Sequence, residues 1–284
     1  MSEFLRPASV GDALAARTDH PDYVIVAGGT DLYVASKDKL APPGTIDLFG
    51  IPGLCEVEDA DSGGLRIGAA TTYATLLTDP RIRKSYPVLR EACREVGAAQ
   101  IQSRGTIGGN MVTSSPVGDS LPPLLALDAE IEVASKSASR RFPYADFLSG
   151  YRKVDLKKDE LLVAIHLPAP HKDAQQYWRK VGTRRAQSIS KVMVAAVAHL
   201  EDGVIAGARV ALGAVADRTI RGYEAEKAML GKPPSQATAE AARTALRAEI
   251  TPIDDLRSTA DYRLRVAENI VARFVLSLAA DQSK

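Results

Sequence analysis

The sequence predicts an α+β protein of two lobes, and three observations carry that prediction. Short apolar runs of strand length alternate with helical patterns through the first half of the chain. A polar, proline-punctuated stretch, PAPHKDA (Pro168 to Ala174), then marks a domain boundary, dividing the chain into residues 1–171 and 172–284. Beyond it come two long β-rich apolar runs and three helical patterns, the signature of a small antiparallel sheet with helices packed on it.

The elements follow in order. SVGDALAAR (Ser9 to Arg17) has the start and apolar spacing of a short helix, and YVIVAG (Tyr23 to Gly28) reads as a buried strand ending in glycine. DSGG (Asp61 to Gly64) predicts a turn, Leu65 to Ala69 a strand and Thr72 to Leu77 a helix that Pro80 limits. VLREACREVG is helical with a stop at Gly97; the stretch after it, AAQIQSRGTIGGNMVTSSPVGDS, reads as a long loop of the kind that usually carries function. LPPLLALDAEIEVAS runs from a helical turn into a strand, and Glu160 to Pro168 is a further strand. The second lobe opens with a strand around Tyr177 to Val181. It continues into two apolar β-runs joined through Asp202-Gly203, a hairpin signal, and helices at about Tyr223 to Leu230, Gln236 to Glu249 and Ala260 to Leu278.

Composition removes several function classes. Lys+Arg 36 against Asp+Glu 35 gives a formal net charge of +1, which offers no attraction to a polyanion such as nucleic acid. No apolar run approaches the roughly 20 residues of a membrane span, and MSEFLRPASV lacks the pattern of a signal peptide, so a soluble, cytoplasmic protein is expected. Cys55 and Cys93 alone cannot build a disulfide framework or a four-cysteine iron-sulfur or zinc site. His20, His166, His171 and His199 are scattered without metal-ligand spacing; no metal site and no catalytic residue is assigned.

Two stretches look alike: VAGGTDL (Val26 to Leu32) and GTIGGNM (Gly105 to Met111), each at an expected strand end. Glycines without Cβ atoms let the backbone approach a ligand and turn N–H groups toward one point, an anion-binding nest. Two such nests suit two joined phosphates, which describes a dinucleotide; the glycines alone do not distinguish FAD from NAD, and tight turns would be the better explanation of a single isolated pair but not of two in hydroxyl-rich surroundings. No two of the 21 glycines are separated by a single residue, so the standard G-x-G-x-x-G fingerprint is absent, as are Walker A and the G-x-S-x-G elbow.

At these residues the chain resembles the FAD subunits of the molybdenum hydroxylases, the xanthine dehydrogenase and aerobic carbon monoxide dehydrogenase group. AGGTDL (Ala27 to Leu32) and QSRGTIGGNMVTSSPVGD (Gln102 to Asp119) look like the two flavin signatures of that family. GYRK (Gly150 to Lys153), DELLVAIHLP (Asp159 to Pro168), RKVGTRRAQSISKV (Arg179 to Val192) and the TPIDDLRSTADYRLRVAENIV region follow in family order, so the resemblance covers essentially the whole chain.

The resemblance implies an FAD lobe of the vanillyl-alcohol oxidase and p-cresol methylhydroxylase type, then the α+β C-terminal lobe of the carbon monoxide dehydrogenase flavoproteins. Ile25, Val26, Ala27, Gly28, Gly29, Thr30, Asp31 and Leu32 match the loop that wraps the FAD diphosphate, and Thr106, Gly108, Gly109 and Asn110 match the second phosphate loop. Asp119 matches a carboxylate that contacts FAD, although a helix N-cap before LPPLLAL would also use it. Leu162 matches a strand position packed on the cofactor and Lys180 a lysine close to it. Val181 to Lys191, with Arg184 and Arg185, corresponds to a loop near the exposed flavin face. One departure is Val96, where some relatives place an aromatic residue flanking the flavin ring. His20 lies outside the matched loops, so noncovalent FAD is expected.

Because the chain begins about twenty residues before its first flavin loop, one subunit of a larger enzyme is expected. The resemblance implies a molybdopterin-binding large subunit and a small subunit with [2Fe-2S] clusters, assembled as a dimer of heterotrimers, with electrons passing to FAD and on to NAD, a quinone, O2 or another carrier. The alternative is a stand-alone flavin oxidoreductase of the same fold.

Overall fold

In the computed structural model, residues 3–35, 42–184 and 187–280 are described. The chain opens with a parallel sheet of β1 (Glu3–Leu5), β2 (Val24–Val26) and β3 (Gly44–Asp47), ordered β1-β3-β2. Helix α1 (Val10–Asp19) crosses from β1 to β2, and its N-cap is Ser9, whose Oγ accepts the Asp12 N–H at 3.1 Å. The chain leaves β2 through the first glycine pair and enters the single turn α2 (Leu32–Ala35).

A second sheet is antiparallel throughout. Its strands are β4 (Val57–Asp59), β5 (Leu65–Gly68), β6 (Glu130–Ala134) and β7 (Ser139–Pro143), then, after the ribbon β8 (Leu148–Gly150) and β9 (Lys153–Val154), β10 (Leu161–Leu167). In the order β4-β5-β10-β6-β7, β10 is central and every one of its residues is buried, which is why LLVAIHL shows no alternation. Between β5 and β6 lie α3 (Tyr73–Thr78), α4 (Pro80–Ser85), α5 (Pro87–Glu95), α6 (Ala99–Gln102), α7 (Ile107–Thr113) and α8 (Leu121–Ala126); α9 (Tyr144–Phe147) follows β7.

The third sheet, β11 (Gln175–Val181), β12 (Val192–Glu201), β13 (Val204–Gly213) and β14 (Ile220–Arg221), is antiparallel in sequence order. Its hairpin turns at Asp202-Gly203, with φ of +49° and +79°, the left-handed pair a tight two-residue turn requires. Ala195 and Val197 of β12, with Trp178 and Ala211, join the core of the preceding helices. Val194, Ala196 and Ala198 face the opposite core, built with α10 (Tyr223–Met229), α11 (Gln236–Arg247) and α12 (Ala260–Ala280). This sheet is therefore sandwiched, and VMVAAVA is apolar at every position because both faces are covered.

One expectation changes. The stretch read as a long loop after Gly97 contains α6 and α7, so the second glycine pair opens a helix instead of ending a strand. Thr106 is the N-cap of α7, its Oγ1 accepting the Gly109 N–H at 3.2 Å, and Ser114 ends the helix with φ of +45°. Glycine, asparagine and threonine occupy most of this short helix, which hides its apolar period.

Candidate functional site

The chain emerging from β2 and the connection leading into α7 meet backbone to backbone. A Cβ on Gly28 would lie 2.0 Å from the Arg104 carbonyl oxygen, and Gly29 has φ of +75°. Their junction is one wall of a cleft of about 640 Å³, within the range of about 300–1,000 Å³ usual for small-molecule sites. Ile25, Val26, Ala27, Gly28, Gly29, Thr30, Asp31 and Leu32 line it from one side; Thr106, Gly108, Gly109 and Asn110 line it from α7 and Leu162 from β10. Val96, Ile101 and Val112 add apolar surface.

Hydrogen bonding separates the two look-alike stretches. Among the described residues, no protein acceptor meets the N–H groups of Gly28, Gly29, Thr30 and Asp31. The first turn of α7 is engaged instead: Ile107 N–H donates to Thr71 O at 3.1 Å, Gly108 N–H to Ala69 O at 2.9 Å and Gly109 N–H to the Thr106 hydroxyl. A Cβ on Gly108 would lie 2.5 Å from the Ala69 carbonyl oxygen, so glycine there docks α7 onto the end of β5. The open donors belong to the first loop, whereas the second supplies a close-packed wall, the bare backbone of Gly109 and two polar side chains. Asn110 Oδ1 accepts from Ser120 Oγ at 3.0 Å, and Ser120 Oγ lies 3.0 Å from the Tyr73 hydroxyl. That network directs the Asn110 amide, whose NH2 has no protein acceptor among the described residues.

Asp119 and Lys180 do not line the cleft; they bind each other. Lys180 Nζ donates to Asp119 Oδ2 at 2.7 Å, Ser190 Oγ donates to Oδ1 at 2.7 Å, and both charged side chains are buried. Burial raises the Asp119 carboxyl above its ordinary range, against the opposing pull of Lys180 and Ser190. Asp119 is not a helix cap: α8 begins after Ser120. The pair ties β11 and the segment before β12 to the α7–α8 connection. Arg184 lies in the segment between β11 and β12, and Arg185 lies outside the described residues.

Two cations that the sequence did not single out as site residues also line the cleft, Arg17 at the end of α1 and Arg152 in the GYRK stretch. Arg17 Nη1 donates to Tyr23 O at 2.9 Å, and burial pulls its pKa down. Arg152 sits at φ of +50°, uncommon for a residue with a side chain. The cleft thus holds two arginines and four open N–H groups that could meet an anion, along with the carboxylates of Asp31 and Glu160. Arg17 falls in a short helix whose only buried residue is Ala13, so only its place in the fold marks it. Arg152 could have been found as one of the two cations of GYRK, the one at the turn.

The cysteines take no part: Cys93 is buried and its thiol is raised by burial, and Cys55 donates to Glu56. Two of the four histidines, scattered in sequence, meet in space. His20 stacks on Tyr23, His166 Nε2 lies 2.9 Å from Glu132 Oε2, and the His171 and His199 rings stack at 4.0 Å.

Comparison with known proteins agrees with this geometry. Residues 1–170 match the family model described as the FAD binding domain in molybdopterin dehydrogenase, and residues 177–278 match the CO dehydrogenase flavoprotein C-terminal domain. The xanthine dehydrogenase FAD-binding subunit of Escherichia coli O157:H7 is 29% identical over 283 residues, covering 98% of this chain and 96% of that protein. A carbon monoxide dehydrogenase structure from Hydrogenophaga pseudoflava, lacking the Mo-pyranopterin moiety of its molybdenum cofactor, superposes with a TM-score of 0.91 at 30% identity, covering 96% of this chain and 95% of that one. Quinoline 2-oxidoreductase from Pseudomonas putida 86 gives 0.90 at 28% identity, covering 99% and 98%. A cleft walled by a glycine-rich turn, a sandwiched C-terminal sheet and a match along nearly the whole length place the chain in one family: it belongs to the FAD-binding subunits of the molybdopterin dehydrogenases, FAD-dependent oxidoreductase subunits of the xanthine and carbon monoxide dehydrogenase type.

Proposed function

We propose that this chain is the FAD-carrying electron-transfer subunit of a cytoplasmic molybdenum hydroxylase, receiving electrons from the [2Fe-2S] clusters of a small partner subunit and passing them to an external acceptor such as NAD, a quinone or O2. A large molybdopterin-binding partner holds the substrate site, and the assembly is a dimer of heterotrimers. Residues 1–171 form the cofactor lobe and 172–284 the second lobe. Among the described residues no helix is long and apolar enough to cross a membrane.

The observation that carries this reading is the open backbone at Gly28 to Asp31, four consecutive N–H groups without protein acceptors among the described residues, beside a junction where only glycine fits. The residues present fit FAD. Gly28 to Asp31 hold the diphosphate, with Arg17 and Arg152 adding positive charge to the same cleft. Leu162 gives the cofactor an apolar bed, and Val96, Ile101 and Val112 keep water from part of the cleft. Asp119 and Lys180 act from below the surface, fixing the second lobe against the α7–α8 connection. When bound, FAD supplies a redox centre that exchanges electrons singly or in pairs.

The assignment predicts a yellow protein with stoichiometric, noncovalent FAD that acid precipitation releases. With its partner subunits present, reduction by the substrate of the large subunit should bleach the flavin absorbance, and the added acceptor should restore it. Colourless protein that takes up no FAD even within the complex would overturn the reading. Flavin that is reduced directly by a small-molecule substrate, without partners, would favour a stand-alone oxidoreductase.

A further inference from the structure

The fold assembles a second group of chemistry-bearing side chains that the cleft does not use. His171 stands in the connection between β10 and β11, and His199 and Glu201 stand two residues apart near the end of β12. One ligand atom from each of the three lies within 4.8 Å of the other two. The His171 and His199 rings stack with centroids 4.0 Å apart and planes 18° from parallel, and His199 Nε2 lies 3.8 Å from Glu201 Oε1.

His199 is set in place by its neighbour on β13. A Cβ on Gly207 would lie 2.3 Å from His199 Cε1, so glycine at that cross-strand position makes room for the ring. His171 and Glu201 are exposed and free to adjust. The hydrogen bond at His171, from the Asp173 N–H to Nδ1, is long at 3.3 Å, and turning the ring releases it.

We propose that His171, His199 and Glu201 form a binding site for a divalent transition metal of the Zn2+ class, with water in the fourth position. Two imidazoles and one carboxylate are a borderline-soft set that suits Zn2+ and disfavours Ca2+ or Mg2+, which prefer all-oxygen shells. Tetrahedral Zn2+ with ligand bonds of about 2.0–2.2 Å needs ligand atoms about 3.4 Å apart, so the two exposed side chains close inward while His199 stays fixed. The bound ion clamps the connection between the lobes onto the end of β12.

The test uses the purified full chain with its FAD, first stripped with EDTA and then titrated with ZnCl2 by calorimetry and with CoCl2 by visible spectroscopy. The expected result is one site of micromolar affinity, a tetrahedral Co2+ spectrum and a Tm that rises with free zinc. His171→Ala and His199→Ala should each abolish all three signals and Glu201→Gln should weaken them, with FAD content unchanged. His20→Ala, which alters a histidine elsewhere, should bind as the parent does. Undetectable binding, or equal zinc affinity in the His171→Ala/His199→Ala double variant, would overturn the proposal and mark any bound ion as adventitious.

Discussion

Gly28→Val is expected to empty the cleft of FAD while the remainder of the chain stays folded. The added Cβ would lie 2.0 Å from the Arg104 carbonyl oxygen and 2.6 Å from its carbon, and both atoms are backbone, so no side-chain rotation relieves the contact. The two loops must part. Overpacking of this kind costs about 1–3 kcal/mol, which a domain of ordinary stability survives. The cofactor loses more, because the N–H groups of Gly28 to Asp31 are displaced with the loop. Each hydrogen bond to a charged group contributes about 1.5–3 kcal/mol, so losing two weakens FAD binding by at least about 100-fold. Flavin absorbance per chain after gel filtration measures the loss, and circular dichroism reports the fold. Gly109→Ala is the contrasting variant: its Cβ would meet Thr106 Oγ1 at 2.8 Å, a hydroxyl that can rotate away at the expense of a helix cap worth about 1 kcal/mol. Full FAD content in Gly28→Val would remove the backbone cradle from the assignment.

Much of this could be read in the sequence, for identifiable reasons. The β12–β13 hairpin announces itself because Asp202-Gly203 matches a turn with two left-handed residues and the flanking runs are long. Gly28 and Gly29 could be found because a close backbone approach and a positive φ both demand glycine. The second pair looked the same for another cause, since Gly108 is there to dock α7 against Ala69. Composition cannot tell a glycine that lines an open cleft from one that packs on a neighbouring strand. Short-range pattern is also blind to what tertiary contact creates: the Asp119–Lys180 pair spans sixty-one positions, and His171 meets His199 only because β11 and β12 pair. Arg17 lines the cleft from a helix whose sequence gives no sign of a ligand.

Lys180→Met tests the join between the lobes and carries the largest stability effect expected here. The ammonium lies 2.7 Å from Asp119 Oδ2, with side-chain exposures of 5% and 11%, so methionine fills the space but leaves a buried carboxylate with Ser190 as its remaining donor. Removing one partner of such a pair costs about 3–5 kcal/mol. The pH dependence has a definite sign. Burial already holds the folded-state pKa of Asp119 above its unfolded value of about 3.9, so ionisation in the folded state is penalised. That penalty is absent below the unfolded pKa and grows as pH rises through the folded-state value. Without Lys180 the folded value climbs further, so the deficit against the parent should be smaller in urea denaturation at about pH 5 than at about pH 8. Asp119→Asn combined with Lys180→Met removes the stranded charge and keeps an acceptor for Ser190, and most of the lost stability should return. A deficit equal at both pH values, or unrelieved in the double variant, would mean that packing around the lysine stem, and not the charge pair, holds the two lobes together beside the cleft.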